Sequence, residues 1–300
     1  MSVDLDEIGH YHAIHGLAAA DGHLVYDLAL ERIGAFGRER GVPITLFAIG
    51  VDLERAAGAA SIRRLVDSGA VVENHSLSHQ YDLTRLSHEE MLAEVRGGAD
   101  LIEQVTGRRP GGFRAPGYTV NDALFDVLEE AGVEYDSSVF PCPAYWGAKA
   151  VVLGTMRARG RSSASILDTP RVMTAPRRPY RPGHPWFTRG RRAVVELPIQ
   201  VTPWARLPFI GTSIMLLPPT AARWLAKTLA GEDFVNIELH GIDFLDATDG
   251  LEALVPHQPE LRRPLPDRLG SLNAALEQIR RSGAQLVTLD EAARHLIPAL

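Results

Sequence analysis

Two periods of hydrophobic and polar positions alternate along the first half of the chain. Ser2-Val3-Asp4-Leu5-Asp6 reads as a short strand, and its two carboxylates, two residues apart, share one side of it. Residues 24–40 place Leu24, Leu28, Leu30, Ile33 and Phe36 at helical spacing, and Gly41-Val42-Pro43 supplies the stop. Residues 44–49 are apolar, β-branched and aromatic, and predict a buried strand. A helix closes over 61–69, and residues 70–73 form the next strand, with Asn74-His75 at its end. The longest predicted helix is 87–107, with Ser87 as cap, Glu90 completing a capping box and Gly107 as terminator. Gly112-Phe113-Arg114 is a short strand entering Ala115-Pro116-Gly117-Tyr118. Asn121 caps a helix running to Gly132, and 133–136 is another strand.

Beyond 139 the alternation breaks. Residues 139–192 are rich in proline, glycine and arginine, and Asp168 is the only acid among them. This stretch reads either as a long solvated insertion or as an arginine-lined lid over an anionic group such as a phosphate. Strands are predicted again at 193–198 and 234–240, the latter ending on His240. A helix at 268–282 and a final strand at 285–289 follow. Alternating strands and helices with short connections predict a parallel α/β sheet with right-handed crossovers, whose chemistry gathers at the carboxyl ends of the strands. No linker divides the chain, so 1–300 reads as a single catalytic domain carrying the insertion at about 139–192.

Composition narrows the class. The chain has 300 residues, 45% hydrophobic and 23% charged, enough for a sizeable core. A formal net charge of -6 argues against a general nucleic-acid binder. One cysteine, Cys142, excludes an internal disulfide and a cysteine-rich zinc module. No run approaches the roughly 18–20 apolar residues of a membrane span. MSVDLDEIGHYH lacks a basic segment followed by an apolar one, which leads to the expectation of a cytoplasmic protein. The sequence leaves the oligomeric state open.

Several residues at predicted strand ends carry chemistry. His75-Ser76-Leu77-Ser78-His79 places two histidines at i and i+4, which share a face on a helical turn and can grip one metal ion. Asp4 and Asp6 offer a third ligand and a base for an attacking water; a plain turn or cap pair is the alternative. Arg114, ahead of a rigid Ala-Pro-Gly-Tyr turn, can orient a carboxylate, and the turn can aim N–H groups at an oxyanion. His240 is the candidate general acid, with Asp243 as a possible support. The cluster from Gly9 to His15 lines a cleft, adds a ligand, or packs locally. No G-x-S-x-G elbow and no GK[ST] loop occurs, which disfavours serine hydrolases and P-loop enzymes.

In order, SVDLD, NHSLSH, FRAPGY and ELHG resemble the motifs of the polysaccharide deacetylase (NodB-homology) superfamily, carbohydrate esterase family 4. They span residues 4 to 240. The resemblance implies a distorted (β/α) barrel of about seven parallel strands. It implies one divalent ion, most often zinc, held by Asp6, His75 and His79. Asp4 becomes the base, Arg114 its orienting partner, the backbone near Gly117 and Tyr118 part of the oxyanion site, and His240 the acid. Two departures stand out. Leu5 separates the aspartates that the family usually has adjacent, and the tryptophan wall of the acyl pocket is not evident, with Trp146, Trp186 and Trp204 as candidates. The implied reaction is removal of an acetyl or formyl group from the nitrogen of a small-molecule amino sugar, linked to a nucleotide or lipid phosphate in one version. Allantoinase-like opening of a cyclic amide and a silent glycan- or partner-binding role are the alternatives.

Overall fold

The computed structural model describes residues 1–20 and 22–300. Its elements in chain order are β1 (Ser2–Asp4), α1 (Ile8–His15), α2 (Leu30–Arg40), β2 (Thr45–Ala48), α3 (Ala56–Asp67), β3 (Val71–Asn74) and α4 (His88–Thr106). Then follow β4 (Gly112–Phe113), α5 (Asp122–Glu130), β5 (Tyr135–Asp136), α6 (Pro143–Ala158), β6 (Val195–Glu196), α7 (Gly211–Met215), α8 (Pro219–Lys227), β7 (Glu238–His240), α9 (Leu265–Arg281) and α10 (Leu289–Leu296). The seven strands form one parallel sheet in the order β6-β5-β4-β3-β2-β1-β7, curled into a distorted, incompletely closed (β/α) barrel.

Parallel strands covered on both faces bury almost every residue, which is why β2 reads as a continuous apolar run. The largest core cluster joins Val3, Leu46 and Leu239 of the central strands to Ile33, Phe36, Ile62, Leu272 and Leu276 of the surrounding helices. Ser87 and Glu90 form the predicted capping box, Gly107 closes α4 at φ 75°, and Asn121 caps α5. Among the described residues, no helix is long and apolar enough to cross a membrane.

The sheet edges β6 and β7 do not pair with each other. Asn236 spans the gap instead: its Nδ2 donates to Ser137 Oγ at 2.9 Å and Leu197 O at 3.3 Å, its Oδ1 accepts from Ser2 Oγ at 3.2 Å, and its carbonyl accepts from Gln200 N. That diversion pulls 234–237 out of the ladder, so the predicted strand 234–240 is reduced to 238–240. The predicted strand at 285–289 does not form. Thr288 and Glu291 make a capping box, and Leu289 opens α10. The local helix-start signal outweighs the β-favouring residues before it.

The 139–192 stretch is partly solvated and partly packed, with Arg157, Arg159 and Arg191 exposed and other arginines engaged. It contains α6 and packs Trp186 against Phe125 of α5. Arg192 pairs with Asp126 and Glu129, Arg177 and Arg178 with Glu232, and Arg161, Arg181 and Arg189 bond backbone carbonyls.

Candidate metal centre and active site

Register decides which side chains meet. Asp4 lies beside Phe47 of β2 on one side and His240 of β7 on the other, and Asn74 lies beside Phe113. The carboxyl ends of β1, β3, β4 and β7 therefore share one rim, and Asp4, Asp6, His75, His79, Arg114, Tyr118 and His240 gather there.

Asp6 Oδ1 lies 3.2 Å from His75 Nε2 and 3.3 Å from His79 Nε2, all buried. A tetrahedral ion with bonds of 2.0–2.1 Å needs ligand atoms about 3.3 Å apart. Asp6 Oδ1 and both His79 ring nitrogens are buried without a hydrogen-bond partner. His75 Nδ1 sits 2.7 Å from the Arg114 carbonyl, which places the proton there and leaves the Nε2 lone pair facing Asp6. The donor set fits a divalent cation. Burial alone would raise the Asp6 pKa, but the two imidazoles outweigh it and hold the carboxyl well below its ordinary value.

The two histidines do not share a helical turn, as their spacing suggested. Residues 75–79 form a loop in which Ser76 and His79 take left-handed φ values of 68° and 57°. Ser76 Oγ accepts the His79 N–H at 3.0 Å, and Glu94 of α4 accepts from the Ser78 N–H and hydroxyl at 2.9 and 2.7 Å. Asn74 Nδ2 donates to Val95 O at 2.7 Å. A Cβ at Gly98 would stand 2.3 Å from Asn74 Oδ1 and 2.9 Å from Ser76 O, so only glycine lets α4 approach this loop.

Arg114 is fully buried and makes four hydrogen bonds. It donates to Asp4 Oδ1 at 2.5 Å, Ser137 O at 2.8 Å, Ser137 Oγ at 2.9 Å and Ser2 Oγ at 3.0 Å, and it stacks over the Phe47 ring at 4.1 Å. Asp4 Oδ2 is buried with no partner. Burial raises the Asp4 pKa, with Arg114 as the main opposing charge.

His240 Nδ1 lies 3.0 Å from Glu238 Oε1, and its Nε2 lies 3.1 Å from the Tyr118 hydroxyl and 4.0 Å from Asp6 Oδ2. Burial works against a charged imidazole, but Glu238, then Asp6 and Asp4, outweigh it and hold His240 well above its ordinary pKa. Asp243, the support expected from the sequence, instead accepts the His240 backbone N–H at 2.9 Å. Sequence reasoning missed Glu238. The same two-residue rule that paired Asp4 with Asp6 pairs Glu238 with His240 on β7. It also missed Glu94, legible as an acid inside the apolar stripe of Met91, Val95 and Ile102.

The turn after Arg114 is as unusual as its Pro-Gly suggested, with Gly117 and Tyr118 at φ 63° and 60°. The Tyr118 N–H is engaged by Ala115 O at 3.0 Å, so the turn presents the phenol to the site. The cluster from Gly9 to His15 divides. His10 packs on His79 at 4.3 Å and Tyr11 meets His240 edge-on at 6.2 Å, whereas His15 stacks on His257. Of the tryptophans, Trp186 is core and Trp204 is exposed. Trp146 lines a cavity of about 20 Å³ with Tyr118, Phe140 and Tyr145. A cleft of about 560 Å³ opens beside His79, between His10 and Ala13 of α1, the 78–85 loop including Arg85, and Ser163, Ala164 and Ile166 of the insertion.

A buried Asp–His–His centre faces an Arg-held aspartate and a Glu-held histidine on the carboxyl rim of a parallel barrel, an arrangement able to hold a cation beside a proton acceptor and a proton donor. A family model described as polysaccharide deacetylase matches residues 29–135. Over that stretch, less than half of its length, the chain is similar to members of that family. It is 36% identical over 77 residues to the peptidoglycan deacetylase-like protein FGM2 of Gibberella zeae, covering 26% of this chain and 22% of that protein. It is 43% identical over 61 residues to the peptidoglycan-N-acetylmuramic acid deacetylase PdaC of Bacillus subtilis, covering 20% of this chain and 13% of that one. The matched stretches thus span less than a quarter of either relative's length. A solved Mycobacterium smegmatis protein of polysaccharide deacetylase type shares the fold, with a TM-score of 0.61 at 18% identity over 98% of this chain and 88% of that one.

Proposed function

We propose that residues 1–300 act as one catalytic unit, a zinc-dependent hydrolase that removes an acetyl or formyl group from the nitrogen of an amino sugar. The observation that carries this reading is the convergence of two triads, Asp6–His75–His79 and Asp4–Glu238–His240, on one buried rim. The names of the relatives point to N-acetylated glycans, and the match to the polysaccharide deacetylase model over residues 29–135 supports cleavage of a non-peptide carbon–nitrogen bond.

Asp6, His75 and His79 would hold a divalent ion, which would supply Lewis-acid polarisation of the acyl carbonyl and lower the pKa of the attacking water. The chain's own groups do the rest. Arg114 occupies Asp4 Oδ1, so the unpartnered Oδ2 takes the proton of the water as its oxygen bonds to the acyl carbon. Glu238 keeps His240 charged, and His240 Nε2 gives its proton to the sugar nitrogen as the carbon–nitrogen bond breaks. The products are a free amine and a carboxylic acid. Tyr118 holds the other side of the His240 ring edge through its hydroxyl.

The narrower form of the proposal is a cytoplasmic sugar linked to phosphate. Its support is Arg85, exposed at the cleft mouth. Equal binding of phosphorylated and unphosphorylated sugars would overturn that part, and fractionation of cells expressing the full-length protein checks the compartment.

The central test is Asp4→Asn, assayed on N-acetylated and N-formylated amino sugars beside elemental analysis. Turnover should vanish while about one equivalent of zinc stays bound. Wild-type turnover by this variant would remove Asp4 from the reaction.

A further inference from the structure

Lys149 belongs to α6, within the stretch that the sequence left open between a solvated insertion and an arginine-lined lid. Its ammonium donates to Gly117 O at 3.1 Å. That carbonyl sits in a turn where Gly117 and Tyr118 are both left-handed, at φ 63° and 60°. A tyrosine in that region is strained and persists only where its surroundings over-determine it. Three restraints act here. Tyr118 N–H is bonded to Ala115 O, its ring packs against Phe140 and Tyr145 with centroids 6.0 Å apart, and Lys149 holds the Gly117 carbonyl. The turn has no slack on the other side, because a Cβ at Gly117 would stand 3.0 Å from the Tyr81 ring.

The lysine is half-buried where it reaches this carbonyl. Burial lowers its pKa to about 8, with Asp168 opposing. The Asp168 carboxyl is itself buried, with Oδ1 on the Thr169 N–H at 2.6 Å and Oδ2 without a partner, and Trp146 Nε1 donates to the Asp168 carbonyl at 2.9 Å. Desolvating an ammonium is costly, and this one is committed to the peptide that carries Tyr118.

We propose that Lys149 is a positioning residue of the active site: by holding the Gly117 carbonyl it fixes the left-handed turn and keeps the Tyr118 hydroxyl 3.1 Å from His240 Nε2. This rests on the reading of His240 as the proton donor. It makes the 139–192 stretch part of the catalytic frame, tied in through α6.

The test compares Lys149→Met and Lys149→Arg in the full chain. Lys149→Met should lower kcat about 10- to 100-fold, as loss of an outer-layer partner commonly does, with KM and bound zinc unchanged. Lys149→Arg, which keeps a cationic donor, should recover most of the rate. In a Tyr118→Phe background, Lys149→Met should add little further loss. A loss confined to KM, an Arg variant no better than Met, or fully additive losses with Tyr118→Phe would overturn the proposal. A second readout is independent of turnover. The carbonyl resonance of ¹³C-labelled Gly117 should move in Lys149→Met and stay near its wild-type position in Lys149→Arg. An unmoved resonance in Lys149→Met overturns the brace whatever the activity. A moved resonance in a protein inactive on every N-acyl sugar sinks the deacetylase reading and leaves the brace standing.

Discussion

Replacing Arg114 by methionine tests the centre of the site. The side chain is fully buried, pairs with Asp4 at 2.5 Å, and makes three further hydrogen bonds to Ser137 and Ser2. Methionine fills much of the volume over Phe47 but leaves Asp4 as a buried carboxylate without its counter-charge. Removing one partner of such a pair costs about 3–5 kcal/mol. For 300 residues the entropy of unfolding is about 0.6 kcal/mol per degree near the midpoint, so Tm should fall by about 5–8 °C. The pair must also show in a cycle. Asp4→Asn removes the stranded charge, so the double variant should be more stable than the summed single losses by about 0.5–3 kcal/mol. The kinetic sign follows from Asp4. Its pKa is already raised by burial, and Arg114 is the main charge opposing the rise. Without Arg114 the carboxyl pKa climbs further, so the acid limb of kcat/KM should move to higher pH and activity along that limb should fall. Calorimetric melts of the four proteins and pH–rate profiles decide the matter. A Tm within a degree of wild type for Arg114→Met, or strict additivity in the cycle, would refute the argument.

Glu238→Gln keeps an acceptor near His240 Nδ1 but removes the charge that most raises its pKa. The alkaline limb of the pH profile should therefore move to lower pH, and an unmoved limb would exclude Glu238 from this role. Gly98→Ala should favour α4 by up to about 1 kcal/mol on propensity alone. Its Cβ would nevertheless push on Asn74 and Ser76, so zinc affinity should drop about tenfold or more, as measured by competition with a chromophoric chelator. Stripping the metal should lower Tm, and free zinc at 100 times its Kd should restore about 2.7 kcal/mol, or about 4 °C. The His75→Ala/His79→Ala protein should show no such response, and a response of equal size would place the ion elsewhere.

Much of the fold and the membership of the candidate site was legible in the sequence because both draw on local rules. Alternation of periods marked the strands and helices of the first half, and Ser87, Glu90, Gly107 and Asn121 set helix ends through bonds to their own neighbours. Asp4 and Asp6 could be paired because strand geometry fixes their common side. What depends on distant partners was not legible. The 75–79 loop replaces a helical turn because Glu94 and the bare Gly98 of α4 hold it in that shape. Asn236 leaves its strand to join edges that no ladder closes. Arg177, Arg178 and Arg192 of the insertion are engaged by Asp126, Glu129 and Glu232, acids far away in sequence. The sequence by itself determined which residues can bind metal, accept a proton or donate one, since that is side-chain chemistry. Only the tertiary structure decided which of them share a rim and which charges are answered, since register, burial and the approach of one backbone to another arise only when the whole chain packs.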